Sequence, residues 1–472
     1  MGELFERFAP RGVGFLHLMC GETDAIIRDY QKHYRTKIPA AGDPRLAIAS
    51  QYRATSWPTA VIVDGAGMIR YHGQPLAEEQ AKMEKALVEV SSGGGTPGYE
   101  NGGLLYPRKE TSAHPAGWPP EPAIAIASDG NPCVVFARRA GKNHEVVLRR
   151  FKEDRTDSDV IVASDRSDML DPSIAVEDNG RIWMAWVSNA GGKYDIYASS
   201  VLGDRRDKAE RITFSPDDAF HPRLAVDREG VLWLTYYEWR DMNGVSRDRE
   251  VFVRHRGKTG WAPARQVSPT DVPAYEDHTD PAVAPHAESG VWVFWSWDHH
   301  PEAQPGRYRA KYPSIFVRQA TKSALGPIQT VGSQQESFDL APMAVTDNAK
   351  GVWCVWDRYL YSSGRKRVAA VSALEGDSFA EPFILPCEPS LCDSPRIAVG
   401  TEGPQLVWSA LEDGKRQVFH SAFSRNQWTP PTRVKLPQEA RYPAIAIDKR
   451  GSAWIAYTIR TDAGWDVCLK NL

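Results

Sequence analysis

A seven-bladed β-propeller preceded by a short α/β module is the fold this sequence predicts, on three observations. First, a proline opening a short apolar run recurs at Pro122, Pro172, Pro222, Pro281, Pro342, Pro395 and Pro443, 48 to 61 residues apart. A period in this range signals a repeat architecture. Second, each copy keeps an internal register. Ala125, Ala175, Ala225, Ala284, Ala398 and Ala446 stand three residues after their prolines. Cys133, Trp183, Trp233, Trp292, Trp353, Leu406 and Trp454 stand eleven after. Phe136, Trp186, Tyr236, Trp295, Trp356 and Tyr457 stand fourteen after, with Trp408 slipped to thirteen in the sixth copy. Third, residues 1–90 lack this pattern and alternate helical and strand periodicities instead.

Within a copy, the Gly-containing turn between two β-rich runs reads as a hairpin. A third strand follows (194–201, 249–256) and then a fourth (261–268). Four strands per copy, repeated around a ring, is propeller architecture. Small residues on the first strand suit a crowded inner position, and aromatics on the second fill the wedges between blades. The last copy reaches Leu472 with three strands, so residues 103–110 are expected to supply its fourth and close the ring. Closure removes open sheet edges.

The expected domains are therefore 1–90 (α/β), 91–103 (a Gly-rich linker) and 104–472 (propeller). In the first, 12–19 reads as a strand, 22–35 and 43–53 as helices, 56–74 as a strand–turn–strand and 76–90 as a helix.

The net charge of -3 gives no electrostatic argument for nucleic acid or an anionic membrane. No apolar run reaches the length of a membrane span, and residues 1–12 carry charges and no apolar core, unlike a signal peptide. The six cysteines contain no Cys-x-x-Cys. Cys133, Cys354 and Cys468 read as buried apolar positions, and Cys387 and Cys392 are close enough in sequence to be either free or paired. No cofactor or metal motif is found; His278, Asp280, His299 and His300 read as hydrated surface groups.

In a propeller the loops before the first strands and after the second strands meet on one face around the channel, the natural place for a ligand. The candidate binding residues there are Arg138, Asp171, His221, Glu238, Arg240, Asp280, Asp298, His299, Asp357, Arg358 and Arg460. Converging arginines could clamp a carboxylate or phosphate. No catalytic residue is nominated.

Two resemblances follow from particular residues. Trp57-Pro58-Thr59, the apolar strand ending at Asp64 and the turn from Gly65 to Gly73 resemble the redoxin branch of the thioredoxin superfamily. That resemblance implies that Pro58 is the family's cis-proline, with the Trp57–Pro58 loop facing the redox centre. The chain departs from the family: it begins inside what would be the first active-site helix, and Cys20 follows the next strand rather than occupying the catalytic position. Residues 1–90 are thus expected to be an incomplete, redox-inactive module, or the remainder of one whose cysteines lie upstream of Met1; the second case would imply a periplasmic or secreted protein. The propeller pattern resembles the sialidase-like superfamily, which implies an arginine cluster for a substrate carboxylate, a Tyr–Glu nucleophile pair and an Asp acid/base. The family's Asp-box is absent. Asp-x-x-Gly-x-x-Trp at 227–233 and 448–454 lies in the first hairpin and is a turn signature, and no Tyr–Glu pair stands out. The leading expectation is a binding protein presenting its polar face to a small molecule, glycan, peptide or protein. The alternatives are a truncated thiol–disulfide oxidoreductase and a sialidase-like glycoside hydrolase.

Overall fold

The computed structural model describes residues 2–20, 27–28, 37–43, 60–63, 69–73, 80–92, 121–152, 155–242, 246–270, 277–298, 313–332, 337–347, 351–360, 366–386, 392–412, 415–461 and 464–472. They fall into two compact units, one N-terminal and one containing the seven copies.

Each copy forms its own antiparallel sheet, so the second unit is a seven-bladed propeller. The first strands are Ala123–Ile126, Met169–Val176, Asp218–Val226, His278–Pro285, Ser337–Thr346, Cys392–Gly400 and Ala440–Ile447. They neighbour one another in a closed circle, the seventh beside the first, and so line the channel. The second strands are Pro132–Ala140, Ile182–Ser188, Leu232–Met242, Val291–Trp297, Val352–Leu360, Gly403–Glu412 and Ala453–Thr461. The fourth strands depart from expectation. Those of blades 2, 3, 5 and 6 are split into two short pieces, such as Gly260–Trp261 and Arg265–Gln266, with Pro263 between them in blade 3. Proline lacks the amide a ladder needs.

The repeat register has a packing cause. Ala175, Ala225, Ala284 and Ala446 lie directly opposite Trp183, Trp233, Trp292 and Trp454 on the second strands. A methyl leaves room for an indole across the ladder. The aromatics at the fourteenth position face the preceding blade. Trp186 packs on Val135 and Leu148 of blade 1, Trp356 on Phe294 and Val317 of blade 4, and Tyr457 on Val407 and Val418 of blade 6.

The same packing closes the ring. Phe136 and Val147 of blade 1 share a core with Ala444, Ala456 and Val467 of blade 7. Arg149 donates to the Val467 carbonyl at 2.8 Å and pairs with Asp466 at 3.1 Å. The sheet of blade 7 has three strands among the described residues, and the expected closing segment 103–110 lies outside them. Arginines staple other blades in the same way: Arg150 donates to the Gly203 carbonyl at 2.8 Å and Arg318 to that of Val267 at 2.9 Å.

The first-hairpin turns are built around an acid. Asp227 Oδ1 accepts from the amides of Glu229 and Val231, both at 2.9 Å, and Oδ2 from the Trp233 indole at 2.8 Å. Asp448 repeats the arrangement with Arg450, Ser452 and Trp454, and Asp347 with Gly351 and Trp353. In blade 2 Glu177 takes the Trp183 indole at 2.8 Å. Gly230 (φ 74°) and Gly451 (φ 87°) turn through the left-handed region that glycine enters without strain.

The N-terminal unit is α/β, with helix Gly2–Phe8, parallel strands His17–Cys20 and Ala40–Asp43, an antiparallel pair Ala60–Val63 and Ile69–Gly73, and helix Gln80–Ser92. Leu4, Phe8, Tyr71, Met83 and Leu87 form its core. A strand occupies Ala40–Asp43, the rest of the helix expected over 43–53 lies outside the described residues, and the last helix runs two residues into the expected linker. Most of the helix expected over 22–35, Trp57 and Pro58 lie outside the described residues.

Candidate functional site at the channel mouth

Every first strand except that of blade 1 is bulged at its proline. The pairing shifts between Phe220 and Arg223, Thr279 and Ala282, Asp393 and Arg396, and at matching places in the other blades. The residue before the proline sits in the left-handed region: Asp171 (φ 49°), His221 (53°), Asp280 (52°), Ala341 (53°), Ser394 (54°) and Tyr442 (48°). Such backbone costs about 1–2 kcal/mol for an ordinary residue, and bulges re-aim side chains beside functional sites. With Glu121 before Pro122, these corners form one ring at the channel mouth.

One arc of the ring is acidic. His221 lies between Asp171 (Nε2 to Oδ2, 3.8 Å) and Asp280 (Nδ1 to Oδ1, 3.6 Å). Its ring stacks on Tyr237 at 5.4 Å, and burial holds the Tyr237 phenol well above its ordinary range. The opposite arc is basic. Arg367 pairs with Asp357 at 2.6 Å and reaches Asp393 at 3.9 Å, and Arg416 pairs with Asp393. Tyr442 is within the field of Glu121, Arg441, Arg416 and Arg367; burial, its largest influence, raises its phenol.

Arg223 and Arg396 occupy the position just after the proline in blades 3 and 6. The two first strands are not neighbours in the ring, yet each guanidinium lies in the other's field, so both face the channel. Each is braced on its own proline carbonyl, Arg223 Nη1 to Pro222 at 3.0 Å and Arg396 Nη1 to Pro395 at 3.1 Å. Among the described residues, no carboxylate is within ion-pairing distance of either. Burial and Arg223 lower the Arg396 pKa while Glu121 and Asp357 oppose them. Two half-buried cations facing each other without a contacting anion favour an anion between them. Near Arg396, the buried Oδ1 of Asp357 has no hydrogen-bond partner among the described residues.

Of the residues expected on this face, Asp171, His221 and Asp280 come together, and Asp357 is buried in the second-strand ladder of blade 5, paired with Arg367. Glu238 and Asp298 are buried. Arg138 is held by Glu145 at 3.0 Å and Asp159 at 3.1 Å within blade 1. Arg358 is a correction. It is wholly buried, bidentate to Asp339 at 2.7 Å through both Nε and Nη2, and packed on Trp356. Second strands run beyond their wedge aromatic, to Leu360 in blade 5, so residues read as loop are ladder. His278 is also interior, accepting the Trp295 indole at 3.1 Å rather than lying hydrated at the surface. The side chains of Arg240 and Arg460, and His299 and His300, lie outside the described residues.

Sequence reasoning missed Arg223, Arg396, Arg367, Arg416 and the Tyr442–Glu121 proximity. A signal existed for the first two. The position after the proline reads Ala123, Ser173, Arg223, Ala282, Met343, Arg396, Ala444, and an arginine in a column of mostly small residues breaks the repeat. Among the described residues no set of three or more His, Cys, Asp or Glu is placed to hold a metal ion, and no helix is long and apolar enough to cross a membrane. Cys133 and Cys354 are buried free thiols, the former pushed up by burial to about 12. Cys392 is disulfide-bonded, and Cys387 lies outside the described residues.

No family model matches the chain. It is similar to the thiol-disulfide oxidoreductases ResA of Bacillus thuringiensis subsp. konkukian and Bacillus cereus, 29% identical to each over 93 residues. The match covers 19% of this chain, which spans about half (52%) of those relatives. Solved structures with similar folds include an α-L-arabinanase of Penicillium chrysogenum (TM-score 0.43, 10% identity, 75% of this chain and 93% of that one). A PL25 ulvan lyase (0.46, 9%, 74% and 92%) and the Hadza microbial sialidase Hz136 (0.38, 14%, 62% and 67%) are others. At these values the assignment of seven blades rests on the sheets themselves.

Proposed function

We propose that the propeller is a binding module that takes an anionic group, such as the carboxylate of a glycan or peptide, at the channel mouth between Arg223 and Arg396. The observation that carries this reading is the unpaired state of the two guanidiniums, each braced on a proline carbonyl across an enclosed channel. A charged group brought there is held by donors already oriented, which lowers the ordering cost of binding. The test is calorimetric titration of the full chain with sodium glucuronate, sodium sulfate and, as the neutral control, glucose. Binding of an anion but not glucose, weakened at least about tenfold by Arg396→Ala or Arg223→Ala, about 1.4 kcal/mol, is the expected result. Variants that bind as the wild type does, or a wild type that binds neither anion, would overturn it.

A second reading is favoured by one observation, the Tyr442 phenol in the field of Glu121 beside arginines. It is that of a glycoside hydrolase acting on an acidic sugar, with Tyr442 as nucleophile and Glu121 as its base. Turnover of a fluorogenic sialoside that Tyr442→Phe abolishes would support it; no turnover across a panel of acidic glycosides would sink it. For the N-terminal unit we propose a thioredoxin-like module, supported by its α/β elements and the partial likeness to ResA.

A further inference from the structure

Resting on the anion-binding reading, we propose that a row of rings on the channel-mouth face, from His221 out to Phe214, seats uncharged sugars linked to the bound acid. The ligand class is then a glycan in which one acidic sugar carries neutral ones.

The row starts beside an arginine of the anion site. His221 stands two residues before Arg223 on the first strand of blade 3. Its ring stacks on Tyr237 at 5.4 Å, Tyr237 meets Phe220 at 5.7 Å, and Phe220 meets Tyr194 at 5.2 Å. Tyr194 immediately precedes the third strand of blade 2, Asp195–Leu202, so the row crosses from one blade to the next. In that blade Arg211 of the fourth strand lies opposite Tyr197, and the Ile212 amide donates to the Ile196 carbonyl at 2.7 Å. The same antiparallel register, continued, brings Phe214 level with Tyr194 at the outer end of the row.

Tyr194 and Phe220 also pack against the core between blades 2 and 3, which by itself would account for them. Phe214 has no such account. It is 72% exposed, more than any other large hydrophobic side chain among the described residues. Its ring is nevertheless held. The Arg211 guanidinium lies over it, 5.2 Å from the centroid. Arg211 in turn pairs with buried Asp195 at 2.9 Å and donates to the Thr213 carbonyl at 2.8 Å. A ring fixed on one side and exposed to solvent loses little freedom when a ligand covers it.

The chemistry selects the occupant. A sugar ring has apolar C–H faces and hydroxyl edges, which suit an aromatic floor with polar groups beside it. Lys193, Asp217 and Asp218 supply those groups. Nearer the channel, Asp171 and Asp280 flank His221 and would repel a second acidic sugar, so the sugars over the row are uncharged. An extended peptide would draw on ladder bonds instead. The Tyr194 amide is already taken by Asp218 at 2.9 Å, and its carbonyl by the Ala219 amide at 2.9 Å.

The test is calorimetric titration of the full chain with sodium glucuronate, with glucuronic acid linked to xylotriose, and with a peptide of one glutamate and three alanines. The wild type should bind the glycan at least about tenfold more tightly than glucuronate. Phe214→Ala, checked for its fold by thermal melting, should lose most of that gain and bind glucuronate unchanged, whereas Phe214→Trp should keep it. A glycan bound no more tightly than glucuronate, or a gain that survives Phe214→Ala, overturns the inference while leaving the anion site standing. A Phe214-dependent gain for the peptide in place of the glycan does the same. Glycan binding that needs Phe214 but neither Arg223 nor Arg396 overturns the anion reading and leaves the sugar row. Absence of binding by both glucuronate and the glycan overturns both.

Discussion

The two ends of each blade use charged residues for opposite purposes. At the hairpin end, Asp227 meets two backbone amides and a buried indole, and Asp448 does the same. At the channel end, Arg223 and Arg396 have only their own proline carbonyls, and Asp357 has a buried oxygen without a partner among the described residues. Burying a polar group without its hydrogen bonds is costly, so the first end is built to hold the repeat together. The second retains unmet bonding capacity that a ligand could use. A charged residue in a repeat is thus read by whether its partners come from its own copy.

The sharpest way to break this division is to disturb a charge at the channel end that is already held in an interior ion pair. Arg358 and Asp339 are fully buried and bidentate. Removing one partner of such a pair costs about 3–5 kcal/mol, so Arg358→Ala should lower the denaturation midpoint more than any other change considered. Burial raises the Asp339 carboxyl even against the Arg358 contacts. Without Arg358 it would rise further. A carboxyl whose folded pKa is raised contributes stability below its unfolded pKa and loses it as pH climbs through the folded value. The Arg358→Ala deficit should accordingly be smaller at pH 5 than at pH 8, in parallel urea titrations. Anion binding by the folded fraction should persist. If the variant is as stable as the wild type, Arg358 is not the interior strut its contacts describe.

Next comes the hairpin end itself. Asp227→Ala removes three accepted bonds and strands the Trp233 indole, which has no exposed surface. A loss of about 2–3 kcal/mol is expected from bonds to an ionised acceptor. Asp448→Ala should behave alike. The hydrogen bonds from Trp454, Ser452 and Arg450 hold the Asp448 carboxyl low against burial, the largest single influence. Its contribution is present above the unfolded carboxyl range and is lost as pH falls through the folded value. Arg396→Ala, at the other end, should change stability by less than about 1 kcal/mol while weakening anion binding. If Arg396→Ala destabilises as much as Asp227→Ala, the division of labour fails.

How much of this was legible in the sequence follows from the same division. The hairpin end is local: acid, glycine and tryptophan sit within seven residues, Asp227 to Trp233, and their spacing carries the geometry. The wedge aromatics were legible because burial between blades demands the same residue class in each copy. The channel mouth was only half legible. Asp171, His221 and Asp280 could be found by counting back from the prolines. That the backbone there bulges into the left-handed region, and that Arg223 and Arg396 meet across the ring, depends on closure of seven blades, which no single copy encodes. Second-strand length was not legible either, because the ladder past Trp356 is fixed by its partner Ser337–Leu340 rather than by Asp357 and Arg358 themselves. In the N-terminal unit, Ala40–Asp43 has no β-branched residue to announce a strand. It is one because His17–Cys20 offers it a parallel ladder.

The smallest effect is the most exacting test of reading partners rather than charges. Lys322 and Glu229 join the turns of adjacent blades at 2.6 Å, a shorter contact than any Asp227 makes. By distance alone it should matter more. Both side chains are about half exposed (49% and 47%), however, so water and salt screen the charges and compete for the ammonium. Two long side chains must also be ordered to make one contact. Lys322→Ala should therefore leave the melting temperature unchanged at physiological salt, with a slight drop only at low ionic strength. A clear loss of stability at high salt would mean that the junction between blades 3 and 4 relies on this pair, and that packing of the wedge aromatics is not what binds blade to blade.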